Sequence, residues 1–292
     1  MSILVDASSR VVIVGIGGRF GTFSARDLPQ SGTSLVAGVS QNRAGQRIEG
    51  VPVFATVEEA VRESGANAAL VYVPAAQGLD AVLETIAAGC QVIAYPADGV
   101  PVADAIEMRA AARAQGAVLV GPNSPGLISP GKAKLGFMPS FCYRPGKIGL
   151  ISRSGSLSYE AAYRLSEAGL GQTTALGIGG DPVKGVNAAE ALEFFDADAE
   201  TRAIVYLGEI GGGEEYAVAR YAREPGAKPV AAVIVGRTAP PGRKMGHASA
   251  LIGGALDGWE AKVSALAAAG VLLARGTDRL AKAAREALAR AG

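Results

Sequence analysis

Only one imidazole occurs in this chain of 292 residues. It belongs to His247, in the stretch "APPGRKMGHASALIGG" (Ala239–Gly254). A solitary histidine is more often a filler of core or surface than a catalyst, but these flanks argue otherwise. "KMGHASA" gives the ring no helical stripe to pack in, and Gly246, Ala248 and Ser249 are small enough to leave it accessible. If a carboxylate accepts a hydrogen bond from one ring nitrogen, the other keeps a free lone pair for attack. Glu209, in "GEIGG" directly after an apolar run, is a carboxylate in an unusual place. With no second histidine a zinc site is not expected, and no metal is assigned. A Ser-His-Asp arrangement lacks its G-x-S-x-G elbow, which "RSGSLS" approaches without matching. The same segment, "SRSGSLSYE", sets Ser154, Gly155 and Ser156 at a helix start, where free N–H groups and the helix dipole attract an anion. A histidine that accepts phosphate fits these residue types best.

A second cluster lies near the N-terminus. "VVIVGIGGRFG" reads G-x-G-G-x-x-G, with Gly15, Gly17 and Gly21 in the spacing of a dinucleotide-binding turn. An NAD site wants an acidic residue at the end of the next strand, and this chain has "VSQNRAG" there. Ser40, Gln41, Asn42 and Arg43 suit a phosphorylated ribose instead, as in NADP or coenzyme A. Plain packing of the glycine turn, with Arg43 as a solvated charge, is the competing reading.

Apolar runs alternate with helical patterns along the whole chain, which implies parallel sheets covered on both faces. "RVVIVGIGG", "SLVAGV", "AALVYVP" and "QVIAYP" read as strands; "TVEEAVRESG" and "GLDAVLETIAAG" read as helices, the latter closed by Gly89. The rhythm breaks at Ile128–Lys147, where Pro130, Pro139 and Pro145 suggest a bridge. It restarts with "KIGLIS" and a helix on which Leu157, Ala161, Leu165 and Ala168 recur at helical spacing. Strands follow at "TTALGIG", "AIVYLGEI", "PVAAVIVG" and "GVLLA", then an amphipathic C-terminal helix. The expected organisation is residues 1–127, a linker at 128–147, and residues 148–292. In such sheets, ligands sit outside the carboxyl ends of the strands, where "GIGGDP", "GEIGGG" and the His247 loop fall.

Composition narrows the classes. Lys and Arg number 28 against 27 Asp and Glu, and 5% of residues are aromatic, which gives no case for nucleic acid or an acidic membrane face. Two distant cysteines and an N-terminus, "MSILVDASSR", without a signal-peptide core suggest a reducing, cytoplasmic setting.

The motifs together resemble the α subunit of succinyl-CoA synthetase, from Met1 to nearly the C-terminus. "GVPVFATVEEAV", "YVPA", "GPNSPG", "KIGLISRSGSLSYEA", "GIGGDPVKG", "GEIGG" and "TAPPGRKMGHASALI" carry the likeness in one order. The resemblance implies an N-terminal Rossmann-like CoA-binding domain, followed by a flavodoxin-like doubly wound domain whose phosphohistidine is His247. It implies that Glu209 orients the imidazole, that Ser154, Gly155 and Ser156 cradle phosphate, and that Tyr159 lies by a small carboxylic acid. CoA contacts map to Gly17, Gly18, Arg19, Phe20, Arg43, Pro96, Ala97 and Asp98. The magnesium-bound nucleoside triphosphate would be held by a partner, an ATP-grasp β subunit, in an αβ or α2β2 assembly. Departures fall in the CoA half: Gly17 replaces a usual threonine, "QNRAG" a P-G-K-G-G loop, Asp98 a glutamate, Ser124 a cysteine and Ser24 a common histidine. They suggest a divergent paralogue. Alternatives are a malate–CoA or citrate–CoA ligase subunit, an NADP-linked oxidoreductase, or a regulatory CoA-binding subunit without catalysis.

Overall fold

In the computed structural model, which describes residues 2–292, the first apolar run becomes β1 (Arg10–Val14), buried from Val11 onward. Helix α1 (Arg19–Gln30) and β2 (Ser34–Val39) follow, then a short β3 (Arg47–Ile48) and β4 (Val51–Phe54). Next come α2 (Val57–Ser64), β5 (Ala68–Val71), α3 (Gly78–Ala87), β6 (Val92–Ala94), α4 (Val102–Ala114) and β7 (Val118–Val120). The sheet order is β3-β4-β2-β1-β5-β6-β7, parallel except for the β3–β4 hairpin. Leaving β3 aside, this is the Rossmann order, with the direction of winding reversing between β1 and β5. Sequence signals place the helix ends. Thr56 caps α2 by accepting from Glu59 N at 3.2 Å. Gly89, at φ +93°, closes α3: its N–H donates to Ile86 O and that of Cys90 to Thr85 O.

The stretch expected to be a linker is ordered structure. Strands β8 (Gly126–Ser129) and β9 (Ala133–Gly136) form an antiparallel hairpin. Pro130 and Gly131 (φ +75°) make its turn, closed by Lys132 N donating to Ser129 O at 2.9 Å. Lys134, fully buried, ties the hairpin to α1 through Asp27 at 2.5 Å and also donates to Met138 O. The prolines therefore punctuate elements. The first compact unit runs from Leu4 to Met138 and takes in Val183–Val186. This differs from a first domain ending at residue 127 and a linker at 128–147.

The second unit, Pro139–Pro182 and Asn187–Gly292 with residues 2–3, begins with β10 (Pro145–Ser152) and α5 (Gly155–Glu167). Then come β11 (Gln172–Gly177), α6 (Ala188–Ala197), β12 (Ala203–Glu209), α7 (Glu214–Tyr221) and β13 (Val230–Val235). It ends with α8 (Trp259–Ala268), β14 (Leu272–Leu273) and α9 (Thr277–Arg290). Its parallel strands lie in the order β14-β13-β12-β10-β11, the flavodoxin-like winding. On α5 the buried face is Ser158, Ala161, Ala162 and Leu165; Leu157 is half-buried, so the expected stripe is rotated by one position. Among the described residues no helix is long and apolar enough to cross a membrane.

Gly21 shows how tightly the first unit is built. A Cβ there would stand 2.3 Å from Gly15 O and 2.6 Å from Ile16 Cα, both backbone atoms. Gly21→Ala should therefore push α1 off the turn after β1 and destabilise this unit by about 1–3 kcal/mol. Hydrogen exchange at the β1 amides measures it; unchanged protection would contradict the packing.

Candidate active site

The winding of the second sheet reverses between β10 and β12, and the ends of those two strands deliver the reactive groups. Glu209 is the last residue of β12 and is buried. Its two carboxylate oxygens lie 2.9 and 2.8 Å from His247 Nδ1. The ring's other face meets the "GIGGDP" loop: a Cβ on Gly180 would come within 2.4 Å of His247 Cγ, so only glycine fits there. Ser249 fastens the two loops, its Oγ donating to Gly180 O at 2.7 Å and its backbone N at 3.2 Å. The pair expected from sequence thus stands in hydrogen-bond contact. With Nδ1 turned to Glu209, the neutral imidazole keeps Nε2 as its nucleophilic atom.

Beneath this pair lies a buried charge cluster that sequence reasoning missed. Arg153, one residue past β10, reaches Glu209 Oε1 at 3.2 Å and Ser249 Oγ at 2.8 Å through Nη2. Its Nη1 donates to Glu215 Oε1 at 3.1 Å. Lys262 of α8 donates to Glu215 Oε2 at 2.5 Å, and the Tyr206 hydroxyl donates to Glu215 Oε1 at 2.9 Å. Burial pushes the Lys262 ammonium below its usual pKa while Glu215 pulls it back up. No local signal marked these residues: Arg153 reads as a neighbour of the helix start, Glu215 as a first-turn acid, and Lys262 as a solvated lysine.

Ser154 caps α5, its Oγ accepting from Leu157 N at 3.5 Å. That leaves the N–H groups of Gly155 and Ser156 in the first turn outside the helical ladder. Arg153 adjoins the cap and holds Ser249, so one side chain links the helix start to the histidine loop. Tyr159 sits half-buried on α5 with its hydroxyl pKa raised by burial. Among the described residues it makes no hydrogen bond to His247 or Glu209. Nor does any group of three or more His, Cys, Asp or Glu side chains stand close enough to hold a metal ion.

The first unit carries its own cavity, about 560 Å³, at the carboxyl ends of β1, β5 and β6. Gly18, Arg19, Phe20, Pro96, Ala97 and Asp98, which the resemblance assigns to CoA, line it. Gly17 and Arg43 do not line it but lie together nearby: a Cβ on Gly17 would be 2.8 Å from Ser40 Oγ and 3.4 Å from Arg43 Cγ. Asp98 accepts from Asn123 Nδ2 at 3.1 Å, which anchors the 96–99 turn. The walls also include Tyr72 and Phe137, which sequence reasoning did not single out; with Phe20 they form an aromatic cluster at centroid distances of 5.0–6.3 Å. Ser24, where the resemblance leads one to expect histidine, shares a 2.8 Å hydrogen bond with the Tyr72 hydroxyl.

The His247 pKa lies above its ordinary value because Glu209 holds the ring proton, with burial acting in the opposite direction. The folded protein binds that proton more tightly than the unfolded chain. The stabilisation is therefore complete below about pH 6.5 and is lost as pH rises through the folded-state pKa. Because this histidine is the only one, its NMR titration is unambiguous. The expected midpoint is above 6.5, moving down in Glu209→Gln; equal midpoints would mean that the pair does not form in solution.

Two family models match the chain: a CoA binding domain over residues 6–99 and a CoA-ligase over residues 151–272. The succinate–CoA ligase (ADP-forming) subunit alpha of Aquifex aeolicus is 48% identical over 272 residues, 92% of this chain and 89% of that protein. Subunit alpha 2 of the same enzyme from Archaeoglobus fulgidus is 47% identical over 270 residues, 92% of this chain and 94% of that one. The subunit alpha of Staphylococcus aureus strain Mu50 is 41% identical over 292 residues, 100% of this chain and 97% of that one. In fold, the chain matches ATP citrate lyase from Methanothrix soehngenii, solved with citrate and coenzyme A, at a TM-score of 0.91 and 23% identity. That match covers 99% of this chain but 51% of the lyase chain. Identity at this level over nearly the full length settles the family: the chain belongs to the succinate–CoA ligase α subunits.

Proposed function

We propose that this chain is the histidine-bearing subunit of a nucleotide-dependent acid–CoA ligase, with His247 as phosphoryl relay and succinate as its acid. One observation carries the reading: Nδ1 of the only histidine is held by both oxygens of Glu209, which leaves Nε2 as the nucleophile. Nε2 attacks the terminal phosphorus of a nucleoside triphosphate, the P–O bond to the diphosphate breaks, and a phosphohistidine forms. A carboxylate oxygen of the acid then attacks that phosphorus, giving an acyl phosphate and freeing Nε2. Attack of the CoA thiolate on the acyl carbon expels phosphate and leaves the thioester. The α5 start at Ser154, Gly155 and Ser156 is assigned to the phosphate, with Tyr159 by the acid.

The first-unit cavity suits CoA, since 560 Å³ falls in the range of small-molecule sites and its aromatic wall offers stacking surface. Arg43 beside Gly17 is assigned to the ribose phosphate. Membership of a ligase family favours CoA over NADP for that role. The magnesium–nucleotide is assigned to an ATP-grasp β subunit in an αβ or α2β2 assembly. Met245, Leu251 and Leu256, 44%, 40% and 65% exposed, give the His247 segment an apolar outer edge on which such a partner can close. Net charge near zero agrees with a cytoplasmic enzyme that engages neither membrane nor nucleic acid.

Reconstituted with its partner and γ-labelled ATP or GTP with magnesium, the chain should take up acid-labile, base-stable phosphate. Succinate with CoA should discharge it, whereas malate or citrate should not. His247→Asn should take up none, and label on that variant would overturn the assignment. Arg43→Ala should weaken CoA by about 1–3 kcal/mol and spare dephospho-CoA. Equal weakening of both, measured by calorimetry, would remove Arg43 from the phosphate.

A further inference from the structure

The proposed relay uses His247 and Glu209 and gives no task to the buried charges under them. Lys262 is fully buried and spends all three of its N–H donors on one place: Glu209 O at 2.9 Å, Gly211 O at 2.5 Å and Glu215 Oε2 at 2.5 Å. Arg153 Nη1 reaches the same two carbonyls, at 3.2 and 2.8 Å, and the same carboxylate. Two cations from different elements thus converge on the carbonyls that flank Ile210, where the chain leaves β12. Glu215 completes the clamp by accepting from the backbone N–H of Glu209 at 3.2 Å. Glu209 is therefore held at its backbone N, at its backbone O and, through Arg153 Nη2, at its carboxylate. An apolar filling of similar volume would avoid the desolvation of these charges. What the charges add is direction.

We propose that Lys262, Glu215 and Arg153 are positioning residues: they fix the exit of β12 so that Glu209 selects the Nδ1–H tautomer of His247 and keeps Nε2 free. The bearing on catalysis rests on the phosphohistidine reading above; the positioning is read on the imidazole itself. Asp181 also faces the ring electrostatically, and so does Arg153. Every test variant below leaves both in place.

The test uses the full chain with ¹⁵N-labelled histidine, so that the two nitrogen shifts report one ring. In Lys262→Met the Nδ1–H population should fall toward the free-imidazole mixture, and the titration midpoint should move toward the ordinary histidine value. With partner and nucleotide present, the rate of His247 phosphorylation should drop on the order of 10- to 100-fold with little change in nucleotide KM. Lys262→Met leaves Glu215 short of a partner, so Lys262→Met/Glu215→Gln, which neutralises both, is the second variant. Ser249→Ala, in a half-buried loop, removes only the hydroxyl between Arg153 and Gly180; it should shift the tautomers the same way by less, and it decides the matter if both Lys262 variants unfold. Unchanged ¹⁵N shifts and midpoint in the folded variants would overturn the proposal, even with a lowered Tm. A tautomer shift with no phosphate ever appearing on wild-type His247 would uphold the positioning and defeat the phosphohistidine reading.

Discussion

Glu209 sits at the buried end of a strand, and an unpaired carboxylate there would be untenable. An isolated ion in a low-dielectric setting costs several kcal/mol even after relaxation. The second unit answers with two cations and a second carboxylate, Arg153, Lys262 and Glu215, so that four formal charges sum to zero around Tyr206. The histidine is the most exposed of the ionisable groups in this network, its side chain 28% exposed against 8% or less for Arg153, Glu209, Glu215 and Lys262. Solvent can therefore reach the ring without reaching the ion pairs behind it.

The flavodoxin-like winding makes such a network attainable. At the reversal point neighbouring strands send their loops to opposite faces, which opens a crevice outside their carboxyl ends. Arg153 and Glu209 leave adjacent strands, β10 and β12, at that crevice, while Lys262 reaches in from α8 and His247 from the loop after β13. The glycines of this region serve closeness more than flexibility. The space that a Cβ on Gly180 would need is taken by the imidazole.

Strands, helices and several caps were legible in the sequence because they depend on local spacing: Gly89 could be read as a helix terminator from its place after "TIAA". The Glu209–His247 pair was legible because each residue is odd for its surroundings. The charge cluster was not. Its three members Arg153, Glu215 and Lys262 are 47 to 109 positions apart along the chain, and each satisfies a bland local role. Glu215 is where an acid belongs at a helix start, and Lys262 falls in a helix that also carries exposed polar residues. The hairpin at β8 and β9 was misread for a related reason. Proline density signals punctuation, and contacts distant in sequence, Lys134 with Asp27 and Lys134 N with Thr33 Oγ1, show that the segment is part of the first unit.

The departures from the family pattern fall in the first unit. Ser24 lies within α1 and Asp98 in the 96–99 turn, and the side chain of each makes few bonds: Ser24 with Tyr72, Asp98 with Asn123 and with Gly99 N. A change at such a site disturbs few contacts. The cluster under Glu209 differs. Replacing any one of Arg153, Glu215 or Lys262 strands a charge in the interior, a loss of about 3–5 kcal/mol against a total stability only a few times larger. Recognition can therefore diverge in this chain while the geometry around the histidine is held by the cost of intermediate states.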